Sequence, residues 1–128
     1  MGYVYFCNNP KGKCRVGDCA VRAVSAATGW REWGDAYIDL AQTGYDIGDI
    51  MNANEAIASV LYRRGYRRYA IPNDRPDDYT IGDFAADNSR GSFVVCTGNH
   101  VAYIESGDVF DAWNCMGEIP QYYFRKER

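Results

Sequence analysis

A thiol, an imidazole and a carboxylate stand along this chain in an order that nucleophilic catalysis can use. His100 is the one histidine, so any chemistry that needs an imidazole must use it. It stands in Gly98-Asn99-His100-Val101-Ala102-Tyr103-Ile104, which reads as a strand. Cys19 opens a stretch far upstream that reads as a helix, in Gly17-Asp18-Cys19-Ala20-Val21-Arg22-Ala23-Val24. Asp111 follows His100 in Val109-Phe110-Asp111-Ala112-Trp113-Asn114. A thiolate attacks a carbonyl, an imidazole carries the proton, and a carboxylate or amide holds the ring in position.

Position favours the thiol. A helix N-terminus carries partial positive charge, and a nearby imidazolium adds to it, so both pull a thiol toward thiolate. Asp18, as the expected N-cap, works against this unless its charge is spent on backbone N–H groups. The competing reading of Cys19 is a small buried apolar side chain. For His100 the orienter follows from the hairpin. If Ser106-Gly107 is a two-residue turn, Ala102 faces Asp111 and His100 faces Trp113, which puts Asp111 diagonally from the ring on the same sheet face. A three-residue loop would put Asn114 opposite His100 instead; the commoner two-residue turn favours Asp111.

The elements that must carry these residues are legible from periodicity. Tyr3–Phe6 reads as a short strand and Cys7–Gly17 as a loop with three basic residues. A helix from Cys19 to about Ala27 ends at Thr28-Gly29. A second helix, Trp30–Gln42, has Trp33, Ala36, Tyr37, Leu40 and Ala41 on one face, with Gly44 as its stop. Asn52 and Glu55 have capping-box spacing for a third helix with Ile57, Val60 and Leu61 buried, ending at Gly65. Arg67–Ile71 reads as a strand, and Thr80 caps a short helix, Ile81–Ala86. Ser92–Cys96, His100–Glu105, Asp108–Trp113 and Gln121–Arg125 read as strands. Helices followed by an antiparallel sheet make an α+β domain, and 128 residues fit one domain, 1–128.

The totals exclude some functions. A formal net charge of −3 argues against nucleic acid as a partner. The sequence contains no apolar run long enough for a membrane span, and its start lacks a basic region followed by an apolar one, so the cytoplasm is the expected compartment. There the five cysteines are expected to be reduced. Cys7, Cys14 and Cys19 are spaced wrongly for a zinc site, and neither a metal nor a cofactor is expected. A thiol-rich interaction or metal-binding domain is the least favoured reading. Arg22 is read as structural, paired with a carboxylate such as Asp111 or Asp83 or solvated. The Arg63-Arg64 and Arg67-Arg68 cluster is read as a solvated face.

Together, Gly17-Asp18-Cys19 with Arg22-Ala23, then His100, then Asp111-Ala112-Trp113-Asn114-Cys115 resemble the papain-like cysteine peptidase superfamily, closest to its small bacterial and phage-type members. The chain is also similar to bacteriocin-processing double-glycine peptidases, with Asp-Cys at the helix start and Asp after His. The resemblance implies a papain-like α+β fold with N-terminal helices packed on a C-terminal antiparallel sheet. It further implies Cys19 as nucleophile, His100 as general base and acid, and Asp111 as orienter. Such peptidases commonly carry a Gln six residues before the nucleophile, where this chain has Lys13. Asn9 is therefore the expected oxyanion donor, beside the Cys19 N–H. The expected activity is hydrolysis of a peptide or cell-wall-type amide through an acyl-enzyme. The alternatives are a catalytically weak or inactive papain-like binding module and a transglutaminase-like acyl transferase.

Overall fold

The computed structural model describes residues 2–127; Met1 and Arg128, the two ends of the expected domain, lie outside the described residues. Among these the elements run β1 (Tyr3–Tyr5), α1 (Cys19–Ala27), α2 (Trp33–Ile47), α3 (Asn54–Arg63), β2 (Tyr66–Ala70), α4 (Ile81–Asp87), β3 (Ser92–Cys96), β4 (Val101–Glu105), β5 (Asp108–Asp111) and β6 (Tyr122–Lys126). The strands form one sheet in the order β1-β5-β4-β3-β6-β2. The class is α+β.

The expected all-antiparallel, C-terminal sheet is corrected in two respects. Strand β1 pairs with β5 in parallel, Tyr3 against Val109 and Tyr5 against Asp111, and β2 comes from the middle of the chain to close the far edge on β6. The parallel direction of β1 carries the chain to the Asp111 end of β5, which is where α1 must start. Pairing there also covers an edge that β5 would otherwise leave bare.

Both faces of the sheet are covered, which explains the near-continuous apolar runs of its central strands. Val94, Cys96, Tyr103 and Phe124 pack against α1, α2 and α3. Phe93, Val95, Ala102, Ile104 and Val109 pack on the other side against α4 with Ile81, Phe84 and Ala85. Helix α1 is buried from Ala20 through Ala27. Its alanines let α2, α3 and the sheet approach from several sides, so its apolar surface is not confined to one stripe.

Helix boundaries differ from expectation for physical reasons. Helix α2 starts at Trp33 and not Trp30, because Trp30 takes a left-handed backbone (φ 56°). That turns its ring onto Phe6, Tyr103 and Phe110 in edge-to-face contacts. Gly44 does not stop α2; it stays helical and lets the following loop lie against it, Asp49 O being 2.8 Å from where a Cβ would stand. The stop is Gly48, at φ 75°. Asn52 and Glu55 form no capping box, since α3 starts at Asn54 with Ala53 in the cap position. Thr80 caps α4 as expected, and Asp83 completes a capping box with it.

The hairpin has the two-residue turn expected. Ser106 and Gly107 both have positive φ, at 52° and 83°, the backbone that matches the twist of the flanking strands. The resulting register pairs Glu105 with Asp108, Ile104 with Val109 and Tyr103 with Phe110. In the loop before α1, Cys7 and Cys14 are joined as a disulfide, which corrects the expectation that all five cysteines are reduced. Cys19, Cys96 and Cys115 are free.

Candidate active site

Three elements converge at the end of the hairpin away from its turn. Cys19 is the first residue of α1, His100 immediately precedes β4, and Asp111 is the last residue of β5. His100 Nε2 lies 2.5 Å from Asp111 Oδ2. That leaves Nδ1 free of the carboxylate, and the Cys19 thiol lies near enough to the ring for His100 to lower its pKa. Trp113 packs against the imidazole at a tilt of 48° with ring centroids 4.9 Å apart, as the register requires, and borders the adjoining cleft.

Asp111 is almost wholly buried and fully engaged. Its Oδ1 accepts from Arg22 Nη2 at 2.8 Å and from the Ala112 N–H at 2.7 Å. Its carbonyl accepts from the Phe6 N–H at 2.8 Å and the Tyr3 hydroxyl at 3.2 Å, which ties β1 to the site. Arg22 in turn donates from Nη1 to Asp18 Oδ1 at 2.6 Å, and Trp33 Nε1 donates to Asp18 Oδ2 at 3.0 Å. Asp18 is therefore at the helix start as expected, but its side chain makes no cap bond. Its charge is spent on Arg22 and not on helix N–H groups. Arg22 thus meets Asp111, one of the partners expected for it, and also Asp18, a second carboxylate that the i,i+4 spacing could have signalled.

Electrostatics distinguish Cys19 from the other free thiols. Burial pushes its pKa up, but the hydrogen bond and charge of His100, the backbone of Val101 and the charge of Arg22 outweigh this, and the net direction is down. Burial drives Cys96 up to about 12, and it raises Cys115 as well. For His100 burial acts downward, yet its bonds to Asp111, Cys115 and Cys19 prevail and push it up to about 11. Burial acts upward on the Asp111 carboxyl, but the hydrogen bond from His100 leads the groups that hold it below the ordinary value. A thiol lowered beside an imidazole raised is the electrostatic condition for a thiolate–imidazolium pair.

Two cavities meet at this pair. One, of about 430 Å³, is bordered by the Cys14–Gly17 loop, Asn99, Ala112 and Trp113. The other, of about 180 Å³, is bordered by Asn52, Asn54, Thr97, Gly98, Asn99 and Tyr122. Cys19, His100 and Asn99 border both.

Two expected side chains are not brought here. Asn9, the expected oxyanion donor, borders neither cavity; its Oδ1 accepts from the Lys11 N–H at 2.8 Å and caps its own turn. Its neighbour Asn8 donates to Ser25 Oγ at 2.8 Å. Asn114, the alternative orienter, accepts from the Met116 N–H at 3.1 Å within its own loop, because the two-residue turn gives the imidazole to Asp111. Polar donors beside the thiol include the Cys19 N–H at the open helix start and the side chains of Asn52, Asn54 and Asn99, of which Asn99 borders both cavities.

His100, Asp111 and Cys115 have potential ligand atoms within 4.8 Å of one another. The group is poorly suited to a cation. One carboxylate oxygen faces a guanidinium at 2.8 Å, the other is taken by His100 at 2.5 Å, and the Cys115 thiol is driven toward its neutral form. Among the described residues no helix is long and apolar enough to cross a membrane. No family model, no curated protein and no solved structure matches this chain.

Proposed function

We propose that this chain is a papain-like thiol hydrolase, a cysteine peptidase or amidase acting on a peptide or peptide-like amide. The observation that carries the reading is the imidazole of His100 held between Asp111 Oδ2, at 2.5 Å, and the lowered thiol of Cys19. In this mechanism Cys19 Sγ attacks the amide carbonyl carbon. The oxyanion forms beside the Cys19 N–H, and the Asn99 amide, which borders both cavities, is the side-chain candidate for a second donor. The C–N bond then breaks, with the proton on His100 passing to the leaving amine. Water, deprotonated by the same imidazole, attacks the thioester and releases the acid and the thiolate. Asp111 orients the ring and stabilises its cationic form, and Trp113 covers it.

A second reading, a catalytically weak binding module, has one observation in its favour. Asn9 is turned into its own loop, and one missing oxyanion donor lowers the rate by about 100- to 1,000-fold. The test is the pH dependence of iodoacetamide alkylation, located by mass spectrometry, on wild type and His100→Ala. A thiol enzyme requires Cys19 to react far faster than Cys96 and Cys115, with an apparent pKa below the ordinary thiol value of about 8.5. That value must rise in the variant. Slow alkylation of Cys19 that ignores His100 would sink the hydrolase reading.

A further inference from the structure

The larger cleft beside Cys19 is bordered by cations. Arg15, Arg22 and His100 contribute to its lining, and among the described residues around it there is no Asp or Glu. Two of these cations are already matched: Arg22 by Asp18 and Asp111, and His100 by Asp111. Arg15 is different. It is exposed and makes no ion pair or hydrogen bond among the described residues.

Its loop is the source of the imbalance. Residues 7–17 contain Lys11, Lys13 and Arg15 and no acidic residue, in a chain whose formal net charge is −3. All three side chains are exposed. The Cys7–Cys14 disulfide closes the loop, and Cys14 and Arg15 both border the cleft, with Arg15 at its rim. Lys13 and Arg15 also border the open groove on the outer side of the same loop. The smaller cavity across the thiol has a neutral, amide-rich lining apart from His100. Positive charge is therefore concentrated on one side of the reacting sulfur.

We propose that Arg15, with Lys13 in support, selects ligands carrying a carboxylate on the cleft side of the reacting carbonyl, so that the substrate class is an anionic peptide or amide. This rests on Cys19 being the reactive thiolate. An exposed guanidinium loses little hydration on pairing and can hold a carboxylate through two parallel N–H bonds. At the rim of a cleft it also raises the local concentration of anions, an effect that salt removes.

The experiment compares two alkylating agents of similar size and different charge, iodoacetate and iodoacetamide. Their rates at Cys19 are measured at neutral pH and low salt in the full chain, by peptide mass spectrometry, for wild type, Arg15→Gln and Arg15→Glu. The ratio of iodoacetate to iodoacetamide rates is expected to fall about threefold or more in Arg15→Gln, as removal of one nearby charge predicts. It should fall further in Arg15→Glu, fall less in Lys13→Gln, and drop in wild type at high salt. Arg15 is exposed and unpaired, so these variants keep the fold. An unchanged ratio across wild type and both Arg15 variants overturns the inference and leaves the thiol reading standing. If Cys19 reacts no faster than Cys96 and Cys115 with either reagent, the thiol reading falls and this inference with it.

Discussion

Arg22 and Asp111 meet across 89 residues of sequence, Nη2 to Oδ1 at 2.8 Å, with both side chains almost completely shielded from water. The contact joins the helix that begins with the thiol to the strand that carries the carboxylate. Through Asp111 Oδ2 it also fixes the ring of His100. In the proposed mechanism Arg22 does not touch the reacting atoms and is a positioning residue, itself held by Asp18, which Trp33 also binds.

Replacing Arg22 with Met should therefore be severe. It leaves the buried Asp18 without its cation and Asp111 with His100 alone, and breaking a buried pair from one side costs about 3–5 kcal/mol. Arg22→Lys should recover only part of this loss, because a single ammonium lacks the fork that donates to both carboxylates. Urea unfolding of the three proteins checks the order wild type, Lys, Met; equal stability of the Met variant would show that the bridge contributes nothing.

The same network makes stability depend on pH in a stated direction. The folded Asp111 carboxyl titrates below its ordinary 3.8, so its contribution is complete above 3.8 and is lost as pH falls through the lowered value. His100 is raised from 6.5 to about 11. Its contribution is complete below 6.5 and is lost as pH rises through about 11. Both are complete between 3.8 and 6.5. Urea midpoints across pH should show wild type losing stability on the alkaline side of this window, and Asp111→Asn should flatten that slope. A slope identical in the two proteins would disconnect Asp111 from the titration of His100.

Gly44→Ala should destabilise, against helix propensity. An exposed helical Gly→Ala change gains about 1 kcal/mol, but a Cβ here would stand 2.8 Å from Asp49 O and 3.1 Å from the Met51 backbone. Both obstacles are main chain, so the loop must move, and overpacking of this kind costs about 1–3 kcal/mol. A lowered thermal midpoint is the expected result; a raised one would mean that the loop at 49–51 yields freely.

Much of the architecture was legible wherever a short-range rule was strong. Ser92–Cys96 forms the strand its apolar run predicts, Thr80 caps its helix, and Ser106-Gly107 sets the hairpin register. That register supports the choice of Asp111 over Asn114. The misjudged boundaries share one cause, local signals outweighed by packing. Trp30 gives up the helix to reach three aromatic rings, Gly44 stays helical because a loop needs the space of its missing side chain, and Asp18 leaves its cap for Arg22.

By itself the sequence determined the residue types and the elements that bear them: one imidazole, a thiol at a helix start, and a carboxylate two strand positions from the point opposite the imidazole. These follow from periodicity and turn chemistry, which act over a few residues. Only the tertiary structure decided which charges meet. Strand β1 pairs in parallel beside Asp111, Asn9 caps its own turn within the Cys7–Cys14 loop while Arg15 borders the cleft, and Arg22 becomes the buried link between two carboxylates. Such contacts span up to 108 residues, and the desolvation that gives them their strength exists only once the layers have closed over them.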